Sequence, residues 1–365
     1  MKSIKLVLKS NAVTVIAFIL AIISCIIVPI DKEYLGYFNV DTLCILMMTM
    51  VIIAGFKKIH AFEILANLIL SKVKHLKTLI FTLVGITFFG SMILANDMAL
   101  LTFIPLTLCL IEQTHEDKYA PIIITLQVIA ANLGGMLTPF GNPQNMYIYS
   151  FFKIDPLEFM YIMLRPFLVS IILIVLTILI IKNKPIMDHH QDKIYVDKIR
   201  IILNSVLFIF ALIVVFRVIP TWVGLIIVLI ISLISEYKCL IKVDYGLLLT
   251  FCFFFIFAGN MARIPAVKTF IESIYLHHEL VVSVASCQLI SNVPSAILLS
   301  QFTSNYQMLL RGVNIGGLGT IIASLASLIA LKQYVNKYHK FKGYLITFEL
   351  INFSYLIILL IVCII

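Results

Sequence analysis

Residues 132–145 read NLGGMLTPFGNPQN. They interrupt an apolar run, residues 119–152, that is too long for one bilayer crossing at about 1.5 Å per residue. Adjacent glycines, two prolines and a cluster of Asn, Gln and Thr should break this helix near mid-membrane. Unwound backbone at that depth survives only where it is buried in protein or lines a cavity. The pattern returns in residues 314–327, NIGGLGTIIASLAS, where Asn314, Gly316, Gly317 and Thr320 coincide with Asn132, Gly134, Gly135 and Thr138. Interrupted helices at matching positions in two halves of a chain point to the binding site of a transporter.

The composition agrees. The chain has 365 residues, 62% hydrophobic and 12% charged, with mean hydropathy +1.09, which marks a polytopic membrane protein made of one helical bundle. A net charge of +9 raises the question of nucleic acid. In so apolar a chain, lysines in cytoplasmic loops account for it, and the expected surroundings are a lipid bilayer with no nucleic-acid partner. The seven cysteines are scattered without CxxC spacing and act as small buried hydrophobes. No cofactor is expected, and no metal beyond a coupling Na⁺. Residues 11–30 are too long an apolar core for a cleaved signal peptide and count as a retained first span.

The expected fold is an all-α polytopic membrane protein with two inverted repeats, each holding a re-entrant hairpin and a broken transmembrane helix. Residues 1–182 form the first repeat, with its hairpin at 78–111, tip at Asn96 and Asp97, and its broken helix at 119–152. Residues 183–200 are a Lys-rich cytoplasmic linker and 201–218 a linking span. Residues 219–365 form the second repeat, with hairpin 279–303, tip at Ser291 and Asn292, and broken helix 305–331. Residues 57–77, apolar at helical spacing between lysines, suit an interfacial amphipathic helix. Lysine placement puts the protein in the cell inner membrane with its N-terminus cytoplasmic and its C-terminus extracytoplasmic.

At each tip and break a helix ends and another begins, exposing carbonyls on one side and amides on the other. Asn96, Asp97, Ser291 and Asn292 suit N-caps of the following limbs, and Asn142 with Pro143 suits a restarting helix. Helix N-termini can hold an anion without a cationic side chain, and none of the four motifs contains Lys or Arg. Asp97 is the one carboxyl expected near the midplane. It is either a cap or the ligand of a coupling Na⁺ or H⁺, because an intramembrane carboxyl is costly to keep. Asp41 and Asp244, at the starts of spans, are expected to be caps. An enzyme using Asp97 and Asp244 as an acid pair lacks any supporting motif, so no enzymatic activity is expected.

The segments A95-N-D97, "TPFGNPQN" and "SNVPSA" resemble the ion transporter superfamily, which holds arsenite permeases, NhaD-type sodium–proton antiporters, citrate transporters and divalent anion–sodium symporters. The resemblance implies a substrate site at Asn96, Thr138, Gly141, Asn142, Asn145, Ser291, Asn292, Ser295, Thr320 and Ser324. It implies ion coupling at Asp97, Asn96 and Asn292, elevator-type movement of one bundle, and a homodimer as one assembly. The first tip, Ala-Asn-Asp in place of the symporters' Ser-Asn-Thr, leans toward the arsenite-permease branch. The expected function is secondary active transport of a small anion, an organic carboxylate or inorganic oxyanion, coupled to H⁺ or Na⁺. The alternative is a Na⁺/H⁺ antiporter using Asp97. If the breaks are hinges, Val in place of their glycines should leave the protein inserted and folded but inactive.

Overall fold

Many isoleucines and leucines face outward in this protein, while a set of amides lies deep within it. Ile180 and Ile234 are 83% and 82% exposed, whereas Asn132, Asn142, Asn145 and Asn314 are buried. In water such an arrangement would be costly; against lipid, apolar side chains face their own kind and polar groups must pair inside.

The computed structural model describes residues 12–61, 64, 73–186, 197–275 and 277–365. Within them the chain is all-helical: α1 (Ala12–Ile27), α2 (Val40–Lys58), α3 (Leu76–Leu94), α4 (Asn96–Gln113), α5 (Ala120–Gly134), α6 (Pro143–Phe151), α7 (Pro156–Ile180) and α8 (Lys198–Val215). There follow α9 (Thr221–Glu236), a short turn (Lys238–Ile241), α10 (Tyr245–Arg263), α11 (Pro265–Tyr275), α12 (Glu279–Ile290), α13 (Asn292–Leu299), α14 (Tyr306–Ile315), α15 (Leu325–Tyr338) and α16 (Lys342–Ile364). Among the described residues, seven helical segments are long and apolar enough to cross a bilayer, and α1, α9 and α12 are shorter apolar helices. Residues 62, 63 and 65–72 of the interfacial helix expected at 57–77 fall outside the described residues, while Lys57 and Lys58 end α2 and Leu76 and Lys77 begin α3.

Two helix groups can be distinguished by packing. α1, α2, α8, α9 and α10 contact one another, while α3 to α7 and α12 to α16 form the other group. The groups meet where α6 touches α2 and where α13 touches α10. Segments expected at one membrane face gather at one end of the second group: Lys184 pairs with Glu116 and Lys337 with Glu112 (both 2.5 Å), and Tyr338 donates to Asp117.

Local capping follows the expectation in one place and departs from it in another. Asp244 accepts the amide of Leu247 and caps α10. Asp41 does not cap α2; Asn39 does, accepting from the Thr42 amide at 2.9 Å. The Asp41 carboxylate instead accepts a hydrogen bond from Thr221 and ties α2 to α9. Asn39 stands one residue before the helix with extended backbone, the geometry a capping side chain needs, whereas Asp41 is already inside the first turn.

Arg263, at the end of α10, holds the loop after α1 by contacts to Asp31 (2.6 Å), Glu33 (3.1 Å) and the Tyr37 hydroxyl. The guanidinium keeps the Asp31 carboxyl below its ordinary value of 3.8. A depressed carboxyl stabilises the fold above its unfolded value, and that contribution disappears as pH falls through the folded one. Asp31→Asn should therefore lower the melting temperature slightly at about pH 6, with the gap to the unmodified protein closing toward about pH 3. A gap that stays constant with pH would assign the loss to packing.

Candidate substrate and ion site

The two hairpin tips share one backbone shape. α3 passes into α4 through Ala95 (φ 63°, ψ 148°), and α12 passes into α13 through Ser291 (φ 74°, ψ 159°). Both lie in a region that favours glycine, at a cost on the order of 1–3 kcal/mol for any other residue. Neither residue caps with its side chain. Asn96 and Asn292, expected to cap, begin their helices and accept from the next amide, that of Asp97 (2.9 Å) or Val293 (3.0 Å), Asn292 also from Ser291 Oγ (3.3 Å). Asp97 likewise sits inside the first turn, one residue too late for a cap.

The breaks correspond as closely. α5 ends at Gly134, a short 3₁₀ turn follows, and α6 restarts after Asn142 (φ −138°, ψ 147°). α14 ends at Ile315, and α15 restarts after Ser324 (φ −142°, ψ 139°). Asn142 stands at the cap position before Pro143, yet its side chain makes no cap bond. It reaches away from its own helix, its Nδ2 donating to the Asn132 carbonyl (3.1 Å) and to Asn314 Oδ1 (3.3 Å). Proline at N1 removes an amide that has no helical partner in any case, and its fixed φ suits the restart.

These asparagines join the two halves. Asn132 Oδ1 accepts from Asn96 Nδ2 (2.8 Å) and from Ser324 Oγ (3.0 Å). Asn314 Oδ1 accepts from Asn142 and from Gln144 Nε2 (3.4 Å), and Asn314 Nδ2 donates to Asn145 Oδ1 (2.7 Å). Each half's restart residue thus bonds the asparagine that precedes the other half's break. A Cβ on Gly317 would lie 3.1 Å from Asn292 Nδ2 and 3.7 Å from Asn132 Oδ1, so the second tip reaches the same centre. A buried, connected amide cluster specifies one arrangement because any member left unpaired costs about 1–3 kcal/mol.

The remaining expected residues shape loops. Thr138 donates to the Met92 carbonyl (3.1 Å), and Asn145 Nδ2 donates to the carbonyls of Gly135 and Thr138. Gly141 packs on the Gly135 carbonyl. The Thr320 amide donates to Gln288 Oε1 (2.9 Å), and Ser295 pairs with Ser286 (2.8 Å). Asn132, Asn314, Gln144 and Gln288 join the site beyond the residues expected from the motifs. The repeat alignment marked the first two; Gln288 stands in a featureless apolar helix, where only contact reveals that it binds the carbonyls of Gly316 and Leu318.

Asn96, Asp97, Gln144, Ser291, Asn292 and Ser324 line one side of a cavity of about 370 Å³. Its other walls are largely apolar, from Ile16 and Leu20 on α1 and Leu247 and Phe254 on α10, with the Thr250 hydroxyl of α10 among them. Among the described residues no Lys, Arg or His lines it. Asp97 Oδ1, Asn132 Nδ2, Asn142 Oδ1 and Gln144 Oε1 are buried and have no hydrogen-bond partner within the protein. A second cavity, about 490 Å³, is lined by Lys57, Lys58, Lys242 and Asp244 and reaches Met98, so the first turn of α4 separates a basic recess from the cation-free one.

An inside-out helical bundle with two broken helices meeting two hairpin tips at a polar centre is the architecture of a membrane transporter. The chain belongs to the citrate transporter family, whose model matches residues 5–310. It is 36% identical over 263 residues to an uncharacterized transporter of Methanocaldococcus jannaschii, covering 71% of this chain and 72% of that one. It is 30% identical over 249 residues to the inner membrane protein YbiR of Escherichia coli, covering 67% and 66%.

Proposed function

We propose that this protein is a secondary active transporter that moves a small anion, an organic carboxylate or inorganic oxyanion, coupled to H⁺ or Na⁺, by an elevator-type mechanism in the cell inner membrane. The observation that carries this reading is a lone carboxyl with an unpartnered oxygen, Asp97, in a cation-free cavity framed by both tips and the restart of the second break. An anion beside an ionised Asp97 is repelled. Neutralising Asp97 with H⁺ or Na⁺ removes that repulsion, so the ion and the anion favour each other's binding. The oxygens of Asp97, Asn142 and Gln144 suit Na⁺, and helix N-termini at α4, α6, α13 and α15 suit the anion. Lysines in the adjoining recess raise the local anion concentration.

The division of the helices into two packed groups supports elevator movement, since both tips and both breaks belong to one group. The gathered lysines at one end support an inward N-terminus and an outward C-terminus. In proteoliposomes, labelled anion uptake should rise at least roughly tenfold when an inward H⁺ or Na⁺ gradient is imposed, as one unit of pKa-sized coupling would give. Uptake of no anion under any ion gradient would overturn the proposal. A Na⁺/H⁺ antiporter, the second reading favoured by a lone carboxyl without a cation, would show ion-for-proton exchange in empty vesicles.

A further inference from the structure

We propose that the ligand of the central cavity is a monocarboxylic acid with an apolar body. This rests on the transport reading above and names the substrate class of the same site. The cavity has two chemically distinct sides. On one, Asn96, Ser291, Asn292 and Ser324 line the cavity together with Asp97. On the other, Ile16, Leu20, Leu247 and Phe254 present hydrocarbon, and the Thr250 hydroxyl among them is turned to the Gly246 carbonyl and Thr14.

Charge sets the number of carboxylates that can be held. No cation lines the cavity among the described residues, and the lysines of the adjoining recess lie with Asp244 on the far side of the first turn of α4. One ligand carboxylate is compensated when a single H⁺ or Na⁺ neutralises Asp97. A second or third would remain without a partner, at the steep cost of any unpaired buried charge. A di- or tricarboxylate would also press polar groups on the α1 and α10 wall, whose one lining hydroxyl among the described residues, that of Thr250, is already bonded to the Gly246 carbonyl and to Thr14. The volume of about 370 Å³ is at the small end of the range usual for ligand pockets, and it suits a short chain lying along that wall.

The test is a thermal-shift titration of the full-length protein in lipid nanodiscs, with acetate, butyrate, hexanoate, succinate, citrate, phosphate and sulfate as choline salts, at fixed ionic strength with and without Na⁺. Apparent affinity should rise roughly fourfold for each added methylene from acetate to hexanoate, as burial of apolar surface requires. Succinate and citrate should give no shift at the same concentrations. Leu247→Ala should weaken hexanoate roughly tenfold and leave acetate unchanged, whereas Ser324→Ala should weaken both. Stabilisation by citrate or an inorganic oxyanion but by no monocarboxylate would overturn this inference and leave the transporter reading standing. Equal affinity for acetate and hexanoate would also overturn it. The absence of a shift with any anion, inorganic ones included, would sink both.

Discussion

Asp97→Asn should leave the protein folded and able to bind its anion, and should abolish ion-driven accumulation. The side chain keeps its shape in this change. Asp97 caps nothing and its Oδ1 has no protein partner, so little structure depends on the charge. Function depends on it. Two unit charges about 6 Å apart at an effective dielectric of about 20 repel by about 3 kcal/mol, roughly a hundredfold in affinity. With Asn at this position, anion affinity measured without Na⁺ and at alkaline pH should rise by about that factor and lose its dependence on either ion. Uphill uptake in proteoliposomes should fall to the level set by the membrane potential alone. A variant that accumulates anion with undiminished ion dependence would remove Asp97 from the coupling mechanism. An antiporter would instead lose Na⁺–proton exchange outright.

Gly134→Val should prevent the protein from accumulating in folded form. A Cβ at this position would stand 2.1 Å from the Phe88 carbonyl oxygen and 2.6 Å from Ser91 Oγ, and the first of these is backbone within α3. A carbonyl held in a helix cannot step aside, so the hairpin and the broken helix would have to separate. Overpacking of this kind costs about 1–3 kcal/mol, and more when backbone must move. The structure thereby shifts the expectation for this glycine from lost movement to lost folding: the residue is first a contact surface between α5 and α3. Gly85→Ala is the control. Gly85 is also in α3, but a Cβ there meets nothing within 4 Å, so alanine should stabilise by roughly 0.5–1 kcal/mol through helix propensity. Detergent-solubilised yield and melting temperature, read by size exclusion and tryptophan-independent dye fluorescence, separate the two. Equal behaviour of both variants would contradict the packing seen at Gly134.

The helical, membrane-embedded class was legible because bilayer physics acts on composition and run length. Long apolar segments must become helices when no water is available to the backbone. The places where helices stop were legible for a related reason: Gly, Pro and Asn at Ala95–Asn96, 135–142, Ser291–Asn292 and 316–324 are local instructions, and the breaks fall there. Capping was legible at Asp244 and misassigned at Asp41 and Asn96, because an offset of one residue along the first turn decides whether a carboxyl or amide can turn back to the helix.

The amino-acid sequence by itself thus determined the all-helical class, the four interruptions and the residue types gathered in them, since each depends on chemistry within a few neighbouring residues. Which of those residues face one another was decided only by the tertiary structure. Asn142 meets Asn314 and Ser324 meets Asn132 across separations of 172 and 192 residues, and the Asp97 oxygen remains without a protein partner beside them. The reason is physical: a side-chain hydrogen bond is directional and extends about 3 Å, so its partner depends on how whole helices pack.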